Sequence, residues 1–151
     1  MLVLPNCNFT SLSGNVHSGM SDAYSYYRHC WEEYPKKFIV SPFPIHLDIE
    51  ASSRCNLRCT FCDKLPLLTK KQLGDIDYNL FCKIIDEGAA KGLQSLKLSY
   101  RGEPLLHKKI IDMVKYAKIR GVLDIYFNTN GMLLNEDVSL KLIKAGLNRI
   151  S

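Results

Sequence analysis

The sequence predicts an α/β fold, a partial (β/α) barrel of parallel strands with helices outside, ending at the start of a fourth strand. Three observations carry this. From residue 45 onward, strand-like and helix-like segments alternate, the order that gives a parallel sheet with crossover helices. Each strand segment is apolar at one parity and polar at the other: Ile45, Leu47 and Ile49 against His46, Asp48 and Glu50; Leu96 and Leu98 against Lys97 and Ser99; Leu123, Ile125 and Phe127 against Asp124 and Asn128. A doubly wound sheet is buried on both faces and reads as unbroken apolar runs. Alternation instead suits a curved sheet with a polar, ligand-bearing concave face. Finally, 151 residues allow one domain with a proper core but fall short of the roughly 250 of a complete eight-stranded barrel.

The elements follow in order. Residues 1–43 are rich in Ser, Asn and Tyr, carry no sustained period, and read as an N-terminal extension packed on a core domain over 44–151. Within the extension, Ser21 to Trp31 is expected to form a short helix whose aromatic residues serve packing. Pro35, Pro42 and Pro44 then punctuate the approach to a first strand, Ile45 to Glu50. A loop containing Pro66 follows. Asp77 caps a first core helix carrying Leu80, Phe81, Ile84 and Ile85 at helical spacing, with Gly88 and Gly92 near its end. Leu96 to Tyr100 is the second strand. Ile110, Ile111, Val114 and Ala117 line a second helix stopped at Gly121, and Leu123 to Phe127 is the third strand. Asn135 caps a third helix, with Glu136 and Asp137 in its first turn and Val138, Leu142 and Ala145 on one side, stopped at Gly146. Asn148 to Ser151 begins a fourth strand. An uncompleted strand there would expose an unpaired edge, so the isolated chain is expected to aggregate or dimerise.

Charge and composition narrow the function. Twenty Lys and Arg oppose fifteen Asp and Glu, a net charge of +5. The basic residues are spread along the chain, which argues against a nucleic-acid partner. No apolar run reaches the roughly 18 residues of a membrane span, and the N-terminus lacks the basic and apolar regions of a secretion signal. The expected location is cytoplasmic, where clustered cysteines read as metal or catalytic ligands rather than disulfides.

Three of the six cysteines, Cys55, Cys59 and Cys62, fall within eight residues directly after the first strand. In parallel α/β folds this is the ligand-binding end of the sheet. Cysteine thiolates are the usual ligands of iron–sulfur clusters, and three of them leave one iron of a 4Fe–4S cluster open to another molecule. Structural zinc wants four ligands, usually as two close pairs, and no second pair follows; a zinc-binding interaction module is the competing reading. Cys82 reads as a small core hydrophobe. Cys7 and Cys30 lie in the extension and are not assigned as ligands. His107 reads as the start of the second core helix, and Glu50 would point toward the barrel interior, either lining the site or making a structural polar contact.

The segment Glu50-Ala-Ser-Ser-Arg-Cys-Asn-Leu-Arg-Cys-Thr-Phe-Cys62 resembles the radical S-adenosylmethionine enzymes, whose signature is Cys-x3-Cys-x-aromatic-Cys after the first barrel strand. Phe61 fills the aromatic slot. After the second strand, Arg101-Gly102-Glu103-Pro104 is similar to the family's Gly-Gly-Glu-Pro motif, with Arg101 in place of the first glycine. After the third, Asn128-Thr129-Asn130-Gly131 resembles the Thr-Asn-Gly that closes this strand in many members. The resemblance covers about residues 43 to 151, and the overall pattern looks most like the peptide- and small-molecule-modifying (SPASM-like) branch.

The resemblance implies a barrel of the radical S-adenosylmethionine type and an oxidoreductase-like radical chemistry. Cys55, Cys59 and Cys62 would hold a 4Fe–4S cluster whose open iron binds S-adenosylmethionine. Its reductive cleavage would give a 5′-deoxyadenosyl radical that abstracts hydrogen from an unidentified substrate. Phe61 would lie beside the adenine. Gly102, Glu103 and Pro104 would engage the methionine amino group, and Asn130 would contribute to the cofactor site. Expected partners are a peptide, sugar or other small-molecule substrate and an electron donor such as flavodoxin or ferredoxin. A catalytically incomplete fragment that binds a cluster only is the alternative within the family.

Overall fold

The structure, a computed structural model, describes residues 21–62 and 73–151. Cys7, the N-terminal segment and the loop around Pro66 lie outside these residues. Helix α1 spans Asp22–Lys36. Strand β1, His46–Asp48, is followed by α2, Tyr78–Ala90; then come β2, Ser95–Lys97, α3, Ile110–Ile119, β3, Asp124–Phe127, α4, Glu136–Ala145, and β4, Arg149–Ile150. The four strands form one parallel sheet in sequential order, with Leu47 beside Leu96, Leu96 beside Ile125, and Phe127 beside Ile150. This is the partial barrel that the alternation predicts.

The helices start and stop for local reasons. The Asp77 carboxylate accepts from Leu80 N–H at 2.9 Å at the head of α2, and the Asn135 amide oxygen accepts from Val138 N–H at 2.9 Å at the head of α4. Each bond satisfies a donor that the first helical turn leaves free, worth about 1 kcal/mol. Gly146 closes α4 at φ 94°, a conformation costly for any residue with a Cβ. Helix α1 runs farther than Trp31. Arg28 pairs with Glu32, and Glu33 takes both Lys36 and Lys37 at 3.0 Å. Pro35 sits in the last turn rather than beyond it, and the helix ends one residue later.

The strand parity sorts the two faces of the sheet. Ile49, Leu96, Leu98, Ile125 and Phe127 are buried with Phe81 and Ile85 of α2, Met113, Val114 and Ala117 of α3, and Leu142 of α4. Burying each large side chain contributes about 1.5–3 kcal/mol. The polar parity faces α1 instead. The Trp31 and His46 rings lie 5.1 Å apart, His46 stacks on Tyr126 at 6.0 Å, and its Nδ1 is 2.9 Å from Ser95 Oγ. Asp124, wholly buried, meets Arg149 at 3.0 Å. Helix α1 therefore covers the polar face near the N-terminal ends of the strands. A cavity of about 340 Å³, lined by Tyr24, Lys118, Asp124, Asn148 and Arg149, opens at that same end. The C-terminal ends are left to the loops.

Candidate functional site

Three loops leave the C-terminal ends of β1, β2 and β3, and each carries one of the sequence motifs. The first is fastened at its base. Ser53 N–H donates to Gly74 O at 2.8 Å, Ile76 N–H to Ala51 O at 3.0 Å, and Ser52 bridges antiparallel to Asp75. Arg54 forks onto the Asp75 carboxylate and donates to Leu106 O at 3.1 Å. Burial raises the Asp75 pKa, but bonds from Arg54 and Ser52 and the guanidinium charge outweigh it, and the carboxyl is held below its ordinary value. Cys55, Cys59 and Cys62 then follow on one loop, all three half-buried and free.

The second loop fits into the first without room for a side chain. A Cβ on Gly102 would stand 1.8 Å from Ser52 O and 2.8 Å from Arg54 O. Glu50 Oε1 accepts from both Arg101 N–H and Gly102 N–H at 2.9 Å, and Glu103 N–H donates to Arg54 O at 2.7 Å. Only glycine permits this approach. Pro104 is buried at the start of a short 3-10 turn, Pro104–Leu106, capped by the Glu103 side chain.

Glu103 also reaches the third loop. It is 2% exposed. Its Oε1 accepts from Leu105 N–H at 2.9 Å and from Thr129 Oγ1 at 2.7 Å; its Oε2 accepts from Asn130 N–H at 2.8 Å. A carboxylate oxygen accepts two bonds, so one acceptor position remains on Oε2. Asn130 completes the circuit. Its Nδ2 donates to Asn56 Oδ1 at 2.7 Å and lies 3.8 Å from Cys55 Sγ. Cys55 Sγ also accepts from Leu57 N–H at 3.5 Å.

The geometry thus brings Cys55, Gly102, Glu103, Pro104 and Asn130 together through direct bonds. Phe61 stands apart on the cysteine loop, 90% exposed. Among the described residues no three His, Cys, Asp or Glu side chains are gathered closely enough to hold a metal ion. The thiols share a loop without yet sharing a point. Their donor chemistry fits an iron–sulfur cluster, and the N–H groups directed at Cys55 Sγ are the kind that stabilise a thiolate.

Further residues in and beside the motifs frame the site. Of the two roles open to Glu50, the structure shows the structural polar contact, to the second loop. The bonds of Thr129 and Asn56 and the Arg54–Asp75 fork had no signal in sequence, because each joins a partner distant in the chain. His107 does not begin α3; it ends the 3-10 turn. It is buried, with Nε2 3.0 Å from Ile76 O and Nδ1 3.0 Å from Lys109 N–H. Lys109 N–H requires an acceptor, so Nδ1 is unprotonated and Nε2 donates. Cys82 packs beside the core, as its spacing predicts, and Cys30 is buried in α1.

Known proteins bear on this arrangement. The family model described as the radical SAM superfamily matches residues 49–151. A tungsten-containing aldehyde ferredoxin oxidoreductase cofactor-modifying protein of Pyrococcus furiosus is 38% identical over 108 residues, covering 70% of this chain and 29% of that protein. The GTP 3′,8-cyclase of Thermodesulfovibrio yellowstonii is 34% identical over 113 residues, covering 70% and 33%. The chain spans about a third of the length of these curated relatives. Among solved structures, BtrN in complex with AdoMet and 2-DOIA superposes with TM-score 0.64 at 21% identity, covering 74% of this chain and 46% of BtrN. Streptococcus suis SuiB bound to precursor peptide SuiA superposes at 0.56 and 19% identity, covering 95% and 31%. Enzymes of the matched family use a 4Fe–4S cluster and S-adenosylmethionine. With its motifs in series after β1, β2 and β3 and the family match running from residue 49, just past β1, to the last residue, the chain belongs to the radical S-adenosylmethionine superfamily.

Proposed function

We propose that this chain is the cofactor-binding portion of a radical S-adenosylmethionine enzyme. In this reading Cys55, Cys59 and Cys62 hold a 4Fe–4S cluster, and the loops after β2 and β3 hold S-adenosylmethionine beside it. When bound, that pair supplies one-electron cleavage of the sulfonium and hydrogen-atom abstraction from a substrate. The supporting observation is the circuit of bonds that ties the Gly-Glu-Pro and Thr-Asn-Gly loops to the cysteine loop at the C-terminal ends of the strands.

The chain's own residues then divide the work. Leu57 N–H and Asn130 Nδ2 direct donors at the Cys55 sulfur. The open acceptor position on Glu103 Oε2 suits an ammonium, and its burial strengthens such a bond. Gly102 keeps the second loop pressed on the first, and Pro104 fixes the turn that follows. The exposed Phe61 ring offers an apolar face to a purine. The substrate is a peptide, sugar or other small molecule; the names of the curated relatives favour a small molecule. The electron comes from a carrier such as flavodoxin or ferredoxin. The free cysteines suit a reducing compartment such as the cytoplasm, and no described helix is long and apolar enough to cross a membrane.

The test is anaerobic reconstitution of the chain, followed by iron and sulfide counting and electron paramagnetic resonance of the reduced protein with and without S-adenosylmethionine. Four irons and four sulfides per chain are expected for a 4Fe–4S cluster, with a signal that shifts on adding S-adenosylmethionine. Zinc without acid-labile sulfide would refute the reading in favour of an interaction module. A cluster indifferent to S-adenosylmethionine would restrict the chain to cluster binding.

A further inference from the structure

Asn130 occupies a position that constrains its side chain on three sides. Its backbone N–H is held by the buried Glu103 carboxylate at 2.8 Å. Its Oδ1 accepts from Met132 N–H at 3.0 Å. A backbone N–H can pair only with the oxygen end of an amide, so this bond fixes which end faces which way. The NH₂ end therefore faces the cysteine loop, 2.7 Å from Asn56 Oδ1 and 3.8 Å from Cys55 Sγ. Glu103 in turn grips Thr129 Oγ1 at 2.7 Å, and Thr129 Oγ1 accepts from Gly131 N–H at 3.1 Å. The amide is the end of a relay of bonds that starts in the interior.

We infer that Asn130 is a positioning residue for the iron–sulfur site: its amide holds the Cys55–Asn56 turn and places a hydrogen-bond donor on the sulfur of Cys55. This rests on the proposed function, in which Cys55 is a cluster ligand. It assigns Asn130 a task carried out through the protein ligand rather than through the cofactor. An N–H donor on a ligating sulfur stabilises negative charge, and a reduced cluster carries one electron more than an oxidised one. Hydrogen bonds to the sulfurs are among the levers that set cluster potentials, and groups that orient ligands are part of a metal site's working structure. The donor on Cys55 therefore raises the reduction potential of the cluster relative to a site without it.

Asn130→Ser isolates this bond. The variant keeps the backbone N–H for Glu103, and its hydroxyl can still accept from Met132 N–H in a local turn. Its side chain is too short to reach Asn56 or Cys55. Two measurements follow. In the metal-free chain, amide hydrogen exchange of the segment 54–59 is expected to quicken in the variant, with β3 and the core helices unchanged. In the reconstituted chain at equal iron and sulfide content, the midpoint potential is expected to move to more negative values, with altered g-values in the reduced spectrum. Wild-type exchange across residues 54–59 would overturn the placement. Faster exchange with an unmoved potential and spectrum would overturn the assignment to the cluster. Failure of the unsubstituted chain to take up any cluster would refute the proposed function, and the exchange experiment would still decide whether Asn130 holds the turn.

Discussion

Replacing Gly102 by alanine tests the packing of the second loop on the first. The added Cβ would stand 1.8 Å from Ser52 O and 2.7 Å from Ser52 C, whereas real Cβ contacts essentially never fall below 3.0 Å. The two backbones must therefore part by at least 3.0 − 1.8 = 1.2 Å. The clash is with backbone atoms, so no side chain can rotate away. Such a shift carries three bonds out of range: Arg101 N–H and Gly102 N–H to Glu50, both 2.9 Å, and Glu103 N–H to Arg54 O, 2.7 Å. Bonds to a carboxylate contribute about 1.5–3 kcal/mol each and a neutral one about 1 kcal/mol. Partial relaxation and water recover some of this, leaving an expected loss of about 3–5 kcal/mol. For a chain of this size that lowers Tm by on the order of 10 °C. Circular dichroism melts of the metal-free chain measure it. Gly74→Ala is the control, since nothing lies within 4 Å of its added Cβ; its Tm should stay near wild type. A Gly102→Ala chain melting within about 2 °C of wild type, roughly 1 kcal/mol, would refute the argument that only glycine fits.

Four further outcomes are expected. Cys59→Ser removes one of the proposed ligands, and iron and sulfide per chain should fall after reconstitution; unchanged content would refute the ligand assignment. Thr129→Val keeps shape but removes the bond to Glu103 Oε1, at a cost of about 1–2 kcal/mol in chemical denaturation. Arg149→Met leaves the wholly buried Asp124 carboxylate without its partner and should cost about 3 kcal/mol; since Oδ1 of Asp124 already lacks a hydrogen-bond partner, Asp124→Asn should recover much of that loss in the Arg149→Met background. The folded-state pKa of Asp75 is depressed, so its contribution to stability is full above the ordinary carboxylate pKa and is lost as pH falls through the lower folded value. Asp75→Asn should flatten that acid limb of a stability-versus-pH curve, and an unaltered limb would count against the Arg54–Asp75 fork.

The strands and core helices were legible because their signals are local or periodic. The alternation in Ile45–Glu50 and Leu123–Phe127 placed the apolar parity in the core, and Asp77, Asn135 and Gly146 marked helix ends through their own side chains or lack of one. The cysteine spacing and the Gly-Glu-Pro and Thr-Asn-Gly segments placed three motifs after three strands. The bonds between those motifs were not legible. Nothing in the composition of Glu50 distinguishes a residue lining a barrel from one gripping the N–H groups of residues 101 and 102. His107 is likewise ambiguous, because its place between two bonds depends on Ile76, thirty-one positions away. Helix α1 extends past the Ser21–Trp31 stretch that the sequence predicts because Pro35, a breaker by residue type, is tolerated in its last turn, and the ion pairs of Glu33 with Lys36 and Lys37 act only once the helix exists.

The pairing of Ala51–Ser53 with Gly74–Ile76 has a consequence for how this region tolerates change. The bonds at its base close a ring within the chain, so a change of length inside the ring need not pass into the register of the sheet. Closing a loop of chain grows costlier only logarithmically with its length, about 0.6 kcal/mol for each doubling. Inserting or deleting a few residues between the third cysteine and the base should therefore disturb the parallel strands little, whereas one residue added inside the base would shift Ser52 against Gly102. The socket of the cysteine loop is in this sense fixed, while the length of chain that it closes is not.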